Sequence, residues 1–421
     1  MPESSFKRIS VIGLGYIGLP TAAMFASRKI EVVGVDVNQH AVDTINRGEV
    51  HIVEPDLDMV VHAAVHEGYL RATNEPEPAE AFLIAVPTPF KGEDHEPDLK
   101  YIEAAAKAIA PVLAVGNLIV LESTSPVGAT EAMADWLAEA RPDLTFPQTH
   151  GEASDIRVAH CPERVLPGKV MQELISNDRV IGGMTPACSA RAVTLYKNFV
   201  KGECVIASGP RAAEMAKLTE NSFRDVNIAF ANELSLVCDE LDMDVWELIT
   251  LANRHPRVNI LQPGPGVGGH CIAVDPWFIV SSAPEKARLI RTAREVNDSK
   301  PKWMLDKIRV EIESHLMMNP HKTAACVSVA VYGLAFKPDI DDLRESPALE
   351  IARLFAGDYK GELLVVEPNI EALPESLGAA VLVKATEAAR ADIHVMLVDH
   401  RSFKEMPKPV GQLIDARGVW R

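Results

Sequence analysis

Residues 9–20 read Ile-Ser-Val-Ile-Gly-Leu-Gly-Tyr-Ile-Gly-Leu-Pro, an apolar run that leads into three closely spaced glycines. The run predicts a buried strand over residues 9–13, and the sequence after the glycines is compatible with a helix. Gly13, Gly15 and Gly18 permit a tight turn and let a pyrophosphate approach the N-terminus of that helix. This stretch predicts a dinucleotide-binding strand–turn–helix unit; a glycine turn in a sheet that binds no ligand is the simpler alternative.

A carboxylate lies at the end of the second predicted strand, residues 31–37. Asp36 follows the glycines by about twenty residues, where a carboxylate accepts a hydrogen bond from the ribose 2′-hydroxyl. Because the charge of Asp36 would repel a 2′-phosphate, the sequence favours NAD over NADP as the cofactor.

Two further loops follow predicted strands and contain Thr next to a Pro-bearing turn. In an open α/β sheet, the loops at the carboxyl ends of the strands border the ligand crevice. Thr88 and Thr124 lie in these loops and are therefore candidate cofactor contacts. Ordinary turn chemistry is the alternative, since Ser/Thr-Pro turns are common in loops.

The first third of the chain alternates strand-like runs with helical stretches, a rhythm typical of a parallel, doubly wound sheet. The expected strands are residues 9–13, 31–37, 81–86, 118–122, 157–160, 179–183 and 204–207. The rhythm returns near the C-terminus, with strands expected at residues 327–332, 363–366 and 393–398. The predicted fold class is α/β, with two Rossmann-like doubly wound parallel sheets.

A helical region joins the two sheets. Residues 211–239 contain no Pro or Gly and predict one helix of about 45 Å, long enough to join domains or form a dimer seam. A second helical region, residues 283–315, carries Pro301 as an expected break or kink. We expect an NAD-binding domain over residues 1–208, a central helical dimerisation domain over 209–317 and a C-terminal Rossmann-like domain over 318–421.

Composition and charge restrict the partners. The chain has 421 residues, 47% of them hydrophobic, and a net charge of −17 that would repel the phosphates of a nucleic acid. No apolar run approaches the ~18 residues that a membrane helix needs, so no membrane insertion is expected. Six scattered cysteines without zinc-like spacing, and no signal-peptide pattern, indicate reduced thiols in the cytoplasm.

One cysteine differs from the others in its surroundings. The stretch Gly-Pro-Gly-Val-Gly-Gly-His over residues 264–270 leads directly into Cys271. Amide N–H groups of such a loop favour the thiolate, the nucleophilic form of cysteine, so we interpret Cys271 as a nucleophile. The commoner role, a small buried hydrophobic side chain, is expected for Cys161, Cys188, Cys204, Cys238 and Cys326.

The long helix carries a line of polar side chains. Lys217, Asn221 and Arg224 are spaced so that they share one face. A solvated face is the ordinary explanation. The functional alternative is a lysine and an amide directed at a reacting oxygen, with an arginine directed at a phosphate or carboxylate.

The C-terminal sheet offers a second candidate anion site within residues 333–347. A strand and a glycine precede Lys337 and Arg344, and a helix follows them. Lys337 could meet a diphosphate as a point charge, and Arg344 could bind it through two hydrogen bonds. Surface charges in a loop are the alternative.

Together these motifs resemble the nucleotide-sugar 6-dehydrogenases, the UDP-glucose/UDP-mannuronate dehydrogenase family. The resemblance extends from residues 11–20 to residues 333–347, and the order of the motifs is more specific than any one of them. Residues 162–168 and 268–276 look like the branch that acts on N-acetylhexosamines. The resemblance implies an NAD-dependent oxidation of a UDP-sugar at C6, a C-terminal UDP-sugar-binding domain and a homodimer.

The resemblance also implies a mechanism. Cys271 would trap the aldehyde formed first, and a second oxidation would give a thioester that water hydrolyses to the uronate. Lys217 would act as acid/base or stabilise an oxyanion beside Asn221, and Asp275 would orient Lys217 or the water. Glu163 and Lys217 remain alternative bases for the first step.

The resemblance also implies binding contacts. The implied cofactor contacts are Gly13, Gly15, Tyr16, Ile17, Gly18, Asp36, Thr88, Thr124 and Arg344. The implied substrate contacts are Arg164, Val165, Lys217, Asn221, Arg224, His255, Arg257, Gly268 and Lys337, of which Arg257 would reach the partner subunit's site.

Two departures from the UDP-glucose branch narrow the substrate. Pro167 stands where that branch has a second glutamate, and Val274 stands where it often has a lysine. UDP-N-acetylglucosamine and UDP-glucose nevertheless stay open as substrates. A two-electron β-hydroxyacid dehydrogenase would need neither Cys271 nor a second nucleotide sheet, and a nucleotide-sugar sensor without activity would not keep the full motif set.

Overall fold

The computed structural model describes residues 6–92, 95–166 and 168–421, and of His270 it describes the backbone. The chain divides into two compact units, Met1–Glu220 and Asn221–Arg421, each with its own sheet and core. Among the described residues, we find no helix with both the length and the apolar character needed to cross a membrane.

The first unit is built on an eight-stranded sheet. Its strands are β1 (Arg8–Ile12), β2 (Glu31–Val35), β3 (Leu70–Thr73), β4 (Ala81–Ile84), β7 (Leu118–Leu121), β8 (Arg157–His160), β9 (Arg179–Gly183) and β10 (Cys204–Ile206). A small hairpin of β5 (Phe90–Lys91) and β6 (Glu96–Pro97) lies apart from it. The strand order is β10-β9-β8-β7-β4-β1-β2-β3, so the chain winds outward in both directions from β1 and β4.

Both faces of this sheet are buried at its centre, where β4 and β7 are apolar at every position. In β4, Ala81 and Leu83 join the core on one face, whereas Phe82 and Ile84 join the core on the other. Helices cover both faces, as a doubly wound sheet requires. They are α1 (Gly18–Ala26), α2 (Gln39–Asn46), α3 (Leu57–His66), α4 (Lys100–Ile109), α5 (Ala129–Ala140), α6 (Pro147–His150), α7 (Val170–Ser176) and α8 (Pro186–Tyr196).

The second unit has a five-stranded sheet in which all neighbouring strands are parallel. Its strands are β11 (Ser328–Tyr332), β12 (Glu362–Val366), β13 (Val381–Leu382), β14 (Ile393–Met396) and β15 (Gln412–Asp415), in the order β13-β12-β11-β14-β15. Alternate residues again enter separate cores, with Val329 and Val331 on one face and Ala330 and Tyr332 on the other. The helices beside it are α13 (Pro347–Asp358), α14 (Ala385–Ala388) and α15 (Arg401–Lys404).

Two helices of 31 residues each connect the sheets along the chain, α9 (Pro210–Glu240) and α12 (Arg288–Met318). The shorter helices α10 (Val245–Ala252) and α11 (His270–Ser282) lie between them in sequence. The α/β class with two Rossmann-like sheets joined by long helices is therefore confirmed. The expected long helix over residues 211–239 is confirmed almost to its ends.

The structure differs from the sequence expectation in its strand directions. The first sheet is not wholly parallel, because β9 pairs antiparallel with β8. After β8 the chain passes through α7 and enters β9 from the end at which β8 stopped, so it does not cross over to the opposite end of the sheet as a parallel connection would. Five short strands of the described residues were not expected, since none of them forms a long apolar run: β3, β5, β6, β13 and β15.

Two residue expectations were also wrong. The expected break at Pro301 is absent: helix α12 runs through it, because the buried Met304, Leu305 and Ile308 after it pack into the core and offset one lost backbone hydrogen bond. Cys326 is exposed, not buried, because it lies in a 3-10 turn, Ala324–Cys326, before β11 begins. Cys161, Cys188 and Cys238 are buried as expected, and Cys204 is half-buried.

Candidate active site

The turn after β1 leaves no room for side chains at two of its glycines. Gly13 has a φ of +91°, and a Cβ there would lie 2.6 Å from the carbonyl oxygen of Ala85. A Cβ on Gly18 would lie 1.7 Å from the carbonyl oxygen of Gly13. At Gly15, by contrast, a Cβ would meet nothing within 4 Å. The turn is therefore closed against the sheet and open on the side from which a pyrophosphate would approach.

Asp36 follows β2 and is tied to this turn. Its Oδ2 accepts a hydrogen bond of 2.8 Å from the N–H of Leu14, and its Oδ1 accepts one of 2.8 Å from the N–H of Asn38. The side chain is half-buried. Tyr16 and Ile17, just before α1, are half-buried as well. The residues around the turn fit a dinucleotide.

Thr88 gives an independent indication of a ligand in the first unit. It lies in the loop after β4 and is 4% exposed, and its Oγ1 has no hydrogen-bond partner among the described residues. An unsatisfied buried hydroxyl is unfavourable in a folded protein unless a ligand or water completes it. Thr124, after β7, is half-buried. Both expected cofactor contacts thus follow strand ends on the same edge of the sheet.

Glu163 belongs to a buried ionic cluster. Arg179 Nη1 lies 2.5 Å from Glu163 Oε2, and the other carboxylate oxygen accepts 2.7 Å from the N–H of Arg164. Nearby, the hydroxyl of Tyr196 donates to Glu122 Oε1 over 2.6 Å. Burial raises the pKa of Glu122 to about 7, although Arg179 opposes the shift. Glu122, Arg179 and Tyr196 were missed by sequence reasoning, because they come from three separate elements.

The residues expected to contact the substrate differ in their hydrogen bonds and in their burial. Arg164 Nη2 and Nε bind the two carboxylate oxygens of Glu220 at 2.7 and 3.0 Å, and its Nη1 donates to the carbonyl of Asp178. Val165 is half-buried. Lys217 on α9 is 9% exposed, which excludes the solvated-face explanation for this residue.

Cys271 lies in the second unit, in the first turn of α11, and is exposed. The sequence interpretation placed it at the end of a loop; the structure places it inside the helix, after Gly269 with a φ of +79°. A helix N-terminus carries partial positive charge and favours an anion such as a thiolate. Asp275 follows one turn later, so the two side chains share a helix face.

Asp275 is 2% exposed and is bound from α9. Asn221 Nδ2 donates to its Oδ2 over 2.5 Å. Two of the residues expected to act together are thus in contact. Arg224, seven residues further from Lys217 along α9, is exposed, as are His255 and Arg257 in the segment after α10.

The glycine stretch before Cys271 packs against the segment after β11. A Cβ on Gly268 would lie 2.5 Å from the carbonyl oxygen of Glu345, and one on Gly269 would lie 3.0 Å from the ring of Phe336. The segment that it contacts includes Lys337, which is half-buried, and Arg344, which is exposed and forms an ion pair of 2.6 Å with Asp342. The structure therefore brings the cysteine loop beside the second candidate anion site.

Family models match three successive parts of the chain. The NAD binding domain of the UDP-glucose/GDP-mannose dehydrogenase family matches residues 7–200, its central domain matches 211–299 and its UDP binding domain matches 330–421. The chain belongs to the UDP-glucose/GDP-mannose dehydrogenase family. It is therefore an oxidoreductase that binds NAD, as expected from Asp36 and the glycine turn.

Relatives within this family cover the whole chain. A UDP-N-acetyl-D-mannosamine dehydrogenase of Yersinia pestis is 68% identical, over 99% of this chain and 100% of that protein. An NDP-N-acetyl-D-galactosaminuronic acid dehydrogenase of Ralstonia nicotianae is 64% identical, over 99% of this chain and 97% of that protein. Among solved structures, a UDP-D-ManNAc dehydrogenase of Pyrococcus horikoshii is similar with a TM-score of 0.86 and 38% identity, covering 98% and 96% of the two chains.

Membership of the dehydrogenase family defines the chemistry that the first unit must accommodate. NAD supplies a hydride acceptor when bound, and the open side of Gly15, the carboxylate of Asp36 and the unsatisfied hydroxyl of Thr88 are the features that fit it. Pro167, one of the two departures from the UDP-glucose branch, lies outside the described residues. Val274, the other, is buried.

Proposed function

We propose that this chain oxidises UDP-N-acetyl-D-mannosamine at C6 to UDP-N-acetyl-D-mannosaminuronate, in two NAD-dependent steps. The observation that carries the proposal is the exposed thiol of Cys271 in the first turn of α11, one turn from an Asp275 bound by Asn221. A dehydrogenase that stops at the aldehyde needs no such thiol. The 68% identity to the Yersinia pestis enzyme supports the choice of sugar.

The proposed reaction proceeds through two oxidations and one hydrolysis. The C6 alcohol first loses a hydride and a proton and becomes an aldehyde. The thiolate of Cys271 then adds to the aldehyde carbon, whose oxygen takes up a proton. The resulting thiohemiacetal loses that proton and a second hydride, which a second NAD would accept, to become a thioester. Water cleaves the thioester, which releases the carboxylate and regenerates the thiol.

Lys217 is the proposed acid/base. Glu163 is the alternative, but its carboxylate oxygens already bind Arg179 and the N–H of Arg164, so taking up a proton would weaken a buried ion pair. Lys217 would also stabilise the developing oxyanion, beside the amide of Asn221. Asp275 would orient Asn221, and with it Lys217 or the hydrolytic water.

The remaining site residues are proposed as binding contacts. Lys337 and Arg164 would meet the UDP-sugar, and Arg257 would reach the site of a partner subunit. Further substrate contacts are Val165, Arg224, His255 and Gly268. The proposed cofactor contacts are Gly13, Gly15, Tyr16, Ile17, Gly18, Asp36, Thr88, Thr124 and Arg344.

A homodimer through α9 is proposed on the basis of an apolar stripe. Phe223, Phe230 and Val237 recur at seven-residue intervals and are 71%, 52% and 46% exposed, and Leu241 beyond them is 61% exposed. Apolar side chains at this spacing are typical of a seam between helices. The proposed domains are 1–208 for NAD, 209–317 for dimerisation and 318–421 for the UDP-sugar.

The proposed place of action is the cytoplasm, supported by cysteines without disulfide-like spacing. The proposed product is an activated uronate for a surface polysaccharide such as enterobacterial common antigen. The enterobacterial relatives of this chain support that assignment.

A panel of UDP-sugars with NADH stoichiometry tests the function. We expect two NADH per UDP-N-acetylmannosamine consumed, with a higher kcat/KM than for UDP-N-acetylglucosamine, UDP-N-acetylgalactosamine or UDP-glucose. One NADH per sugar, with aldehyde accumulating, would refute the thioester scheme. A preference for the galacto sugar is the second candidate, which the 64% identity to the Ralstonia nicotianae enzyme favours.

A further inference from the structure

Two buried asparagines on the long helices of the second unit bind each other. Asn232 of α9 is 0% exposed and Asn297 of α12 is 1% exposed. The Nδ2 of Asn232 donates to the Oδ1 of Asn297 over 2.8 Å. A buried amide pair between two helices is costly unless every donor and acceptor is used, so their outer partners matter.

An ion pair lies at one end of this amide pair. Asp225 Oδ1 accepts from Arg294 Nη1 at 2.6 Å and from Asn297 Nδ2 at 2.8 Å, and both charged side chains are buried. Because a carboxylate can only accept, Asn297 must turn its NH2 group toward Asp225. Its carbonyl therefore faces Asn232, whose NH2 group must donate to it.

The other end of the chain of hydrogen bonds reaches the cysteine loop. With its NH2 group engaged, Asn232 presents its Oδ1 outward, and this oxygen accepts 2.8 Å from the backbone N–H of Gly264. A backbone N–H can only donate, so every hydrogen bond from Gly264 through the two amides to Asp225 has one donor and one acceptor. Gly264 opens the stretch that ends at Cys271.

Close contacts at three glycines leave the loop little freedom to move. A Cβ on Gly264 would lie 2.6 Å from Arg417 Nη1, one on Gly266 would lie 2.9 Å from Pro347, and one on Gly268 would lie 2.5 Å from the carbonyl of Glu345. The loop backbone thus lies against its neighbours without side chains to space it. Its position is set by these contacts together with the hydrogen bond from Gly264 to Asn232.

We infer that Asn232 and Asn297 are positioning residues for the reaction, which hold the glycine loop and Cys271 at its end in a fixed position relative to the buried Asp225–Arg294 pair. The inference rests on the role of Cys271 under the proposed function. Both asparagines act through the loop, so their effect is on the geometry of the thiol. A displacement of about 1 Å at a reacting group is enough to slow a reaction by about 100-fold.

The test compares three variants with the wild-type chain. Asn232→Leu keeps the branched shape of the side chain, with a larger volume, but removes the acceptor for Gly264, and we expect kcat for uronate formation to fall about 10- to 100-fold with NAD affinity unchanged. Asn232→Asp, when protonated in its buried site, keeps both donor and acceptor. We therefore expect its kcat to lie within about 3-fold of the wild-type value at the same pH near pH 6. Toward pH 9 the ionised carboxylate still accepts from Gly264 but no longer donates to Asn297, so the ratio of its kcat to the wild-type kcat should fall.

Ser235→Ala is the matched control. It removes the 2.8 Å hydrogen bond from Lys300 Nζ to Ser235 Oγ, which also joins α9 to α12, and the 2.6 Å hydrogen bond that Ser235 Oγ donates to the backbone carbonyl of Asn232. It leaves the side chain of Asn232 and its hydrogen bond to Gly264 in place. We expect its kcat to stay within about 2-fold of wild type. An equal loss of activity in Ser235→Ala and Asn232→Leu would mean that helix packing alone matters and would overturn the inference.

Hydrogen exchange separates this inference from the proposed function. The peptide that contains Gly264 should exchange faster in Asn232→Leu and at the wild-type rate in Ser235→Ala, whatever the role of the thiol. Unchanged exchange, or faster exchange with unchanged kcat, would overturn the positioning role. If Cys271→Ala still forms the uronate, the proposed role of Cys271 as the nucleophile fails, whereas the exchange rate of the Gly264 peptide still reports whether Asn232 anchors the loop.

Discussion

Asn221 donates a 2.5 Å hydrogen bond to the carboxylate of Asp275, and this contact joins the polar line of α9 to the helix that begins with the cysteine turn. Asp275 is 2% exposed, so its negative charge is held inside the protein and depends on its hydrogen-bond donors. Because Cys271 and Asp275 lie one turn apart in α11, this hydrogen bond fixes a carboxylate on the helix face that carries the thiol.

Asp275→Asn should lower kcat for uronate formation by about 100-fold, because it removes a preorganised charge while retaining the shape of the side chain. The melting shift produced by NAD should stay as in the wild type. Asp244→Asn is the control, since Asp244 caps α10 and asparagine caps a helix equally well. Wild-type kcat in Asp275→Asn would remove this residue from the mechanism.

Cys271→Ala should abolish uronate formation while the protein still binds NAD. The measurement is uronate by mass spectrometry, together with the NAD-induced rise in Tm. Cys326→Ala is matched, because Cys326 is also an exposed thiol, and it should leave the rate unchanged. Uronate formation by Cys271→Ala at the wild-type rate would show that the nucleophile lies elsewhere.

Thr88→Val should weaken NAD binding without lowering the stability of the NAD-free protein. The Oγ1 of Thr88 has no partner among the described residues, so replacing it with a methyl group should leave the NAD-free Tm unchanged or raise it. The Kd for NAD should rise about 5- to 10-fold, which corresponds to the loss of one hydrogen bond of about 1 kcal/mol.

Thr130→Val provides the contrast to Thr88→Val. Thr130 Oγ1 donates 2.6 Å to Glu214, a carboxylate that also accepts from two backbone N–H groups. Its loss should lower the NAD-free stability by about 1–3 kcal/mol. If Thr88→Val instead destabilised the NAD-free protein as much as Thr130→Val, the hydroxyl of Thr88 would be structural.

Glu122→Gln should change how stability depends on pH. Burial raises the pKa of Glu122 from its usual value to about 7, so the folded state favours the protonated acid. A raised carboxyl pKa means that wild-type stability falls as the pH rises from about 4.5 to about 7 and is not recovered above that range. Glutamine cannot ionise and avoids this loss.

The comparison of the two proteins isolates the effect of Glu122 from other titrating groups. Urea unfolding at pH 5 and pH 8 should show the variant gaining stability relative to wild type by a few kcal/mol at the higher pH alone. A difference that is the same at both pH values would mean that Glu122 is ionised throughout, in spite of its burial.

Phe223→Asp with Phe230→Asp should separate the proposed dimer. Both side chains are exposed on α9, and charges in an apolar seam cost several kcal/mol of association energy. Sedimentation velocity should show a dimer for wild type and a monomer for the double variant. Val410→Asp, at a position 89% exposed in a loop, is the control and should remain a dimer. A monomeric wild-type chain would refute the seam.

Much of the fold could be predicted because its determinants are local. A run of apolar residues buried on both faces predicts a parallel strand, as in β4, and the absence of Pro and Gly predicts the 31-residue α9. The antiparallel β9 could not be predicted, because strand direction depends on where α7 packs. The continuity of α12 through Pro301 likewise depends on core contacts beyond the proline.

The candidate site was predictable as a set of residue types and only partly as a set of contacts. Asp36 could be assigned from its spacing to the glycine turn, and the structure places its carboxylate on the N–H of Leu14. A solvated face was the ordinary explanation for Lys217, and its burial is a property of the packed unit. Asn232 could have been found as a continuation of the polar line on α9, but its partner Asn297 could not.

What the sequence by itself determined is therefore the chemistry that depends on neighbouring residues: the glycine turn at Gly13 with its positive φ, the helix spacing of Lys217 and Asn221, and a cysteine after a glycine stretch. What only the tertiary structure decided is which side chains meet across long separations. Asn221 and Asp275 are 54 residues apart, and Asn232 and Asn297 are 65 apart. Hydrogen bonds of this kind depend on how the helices pack, and packing depends on the whole core.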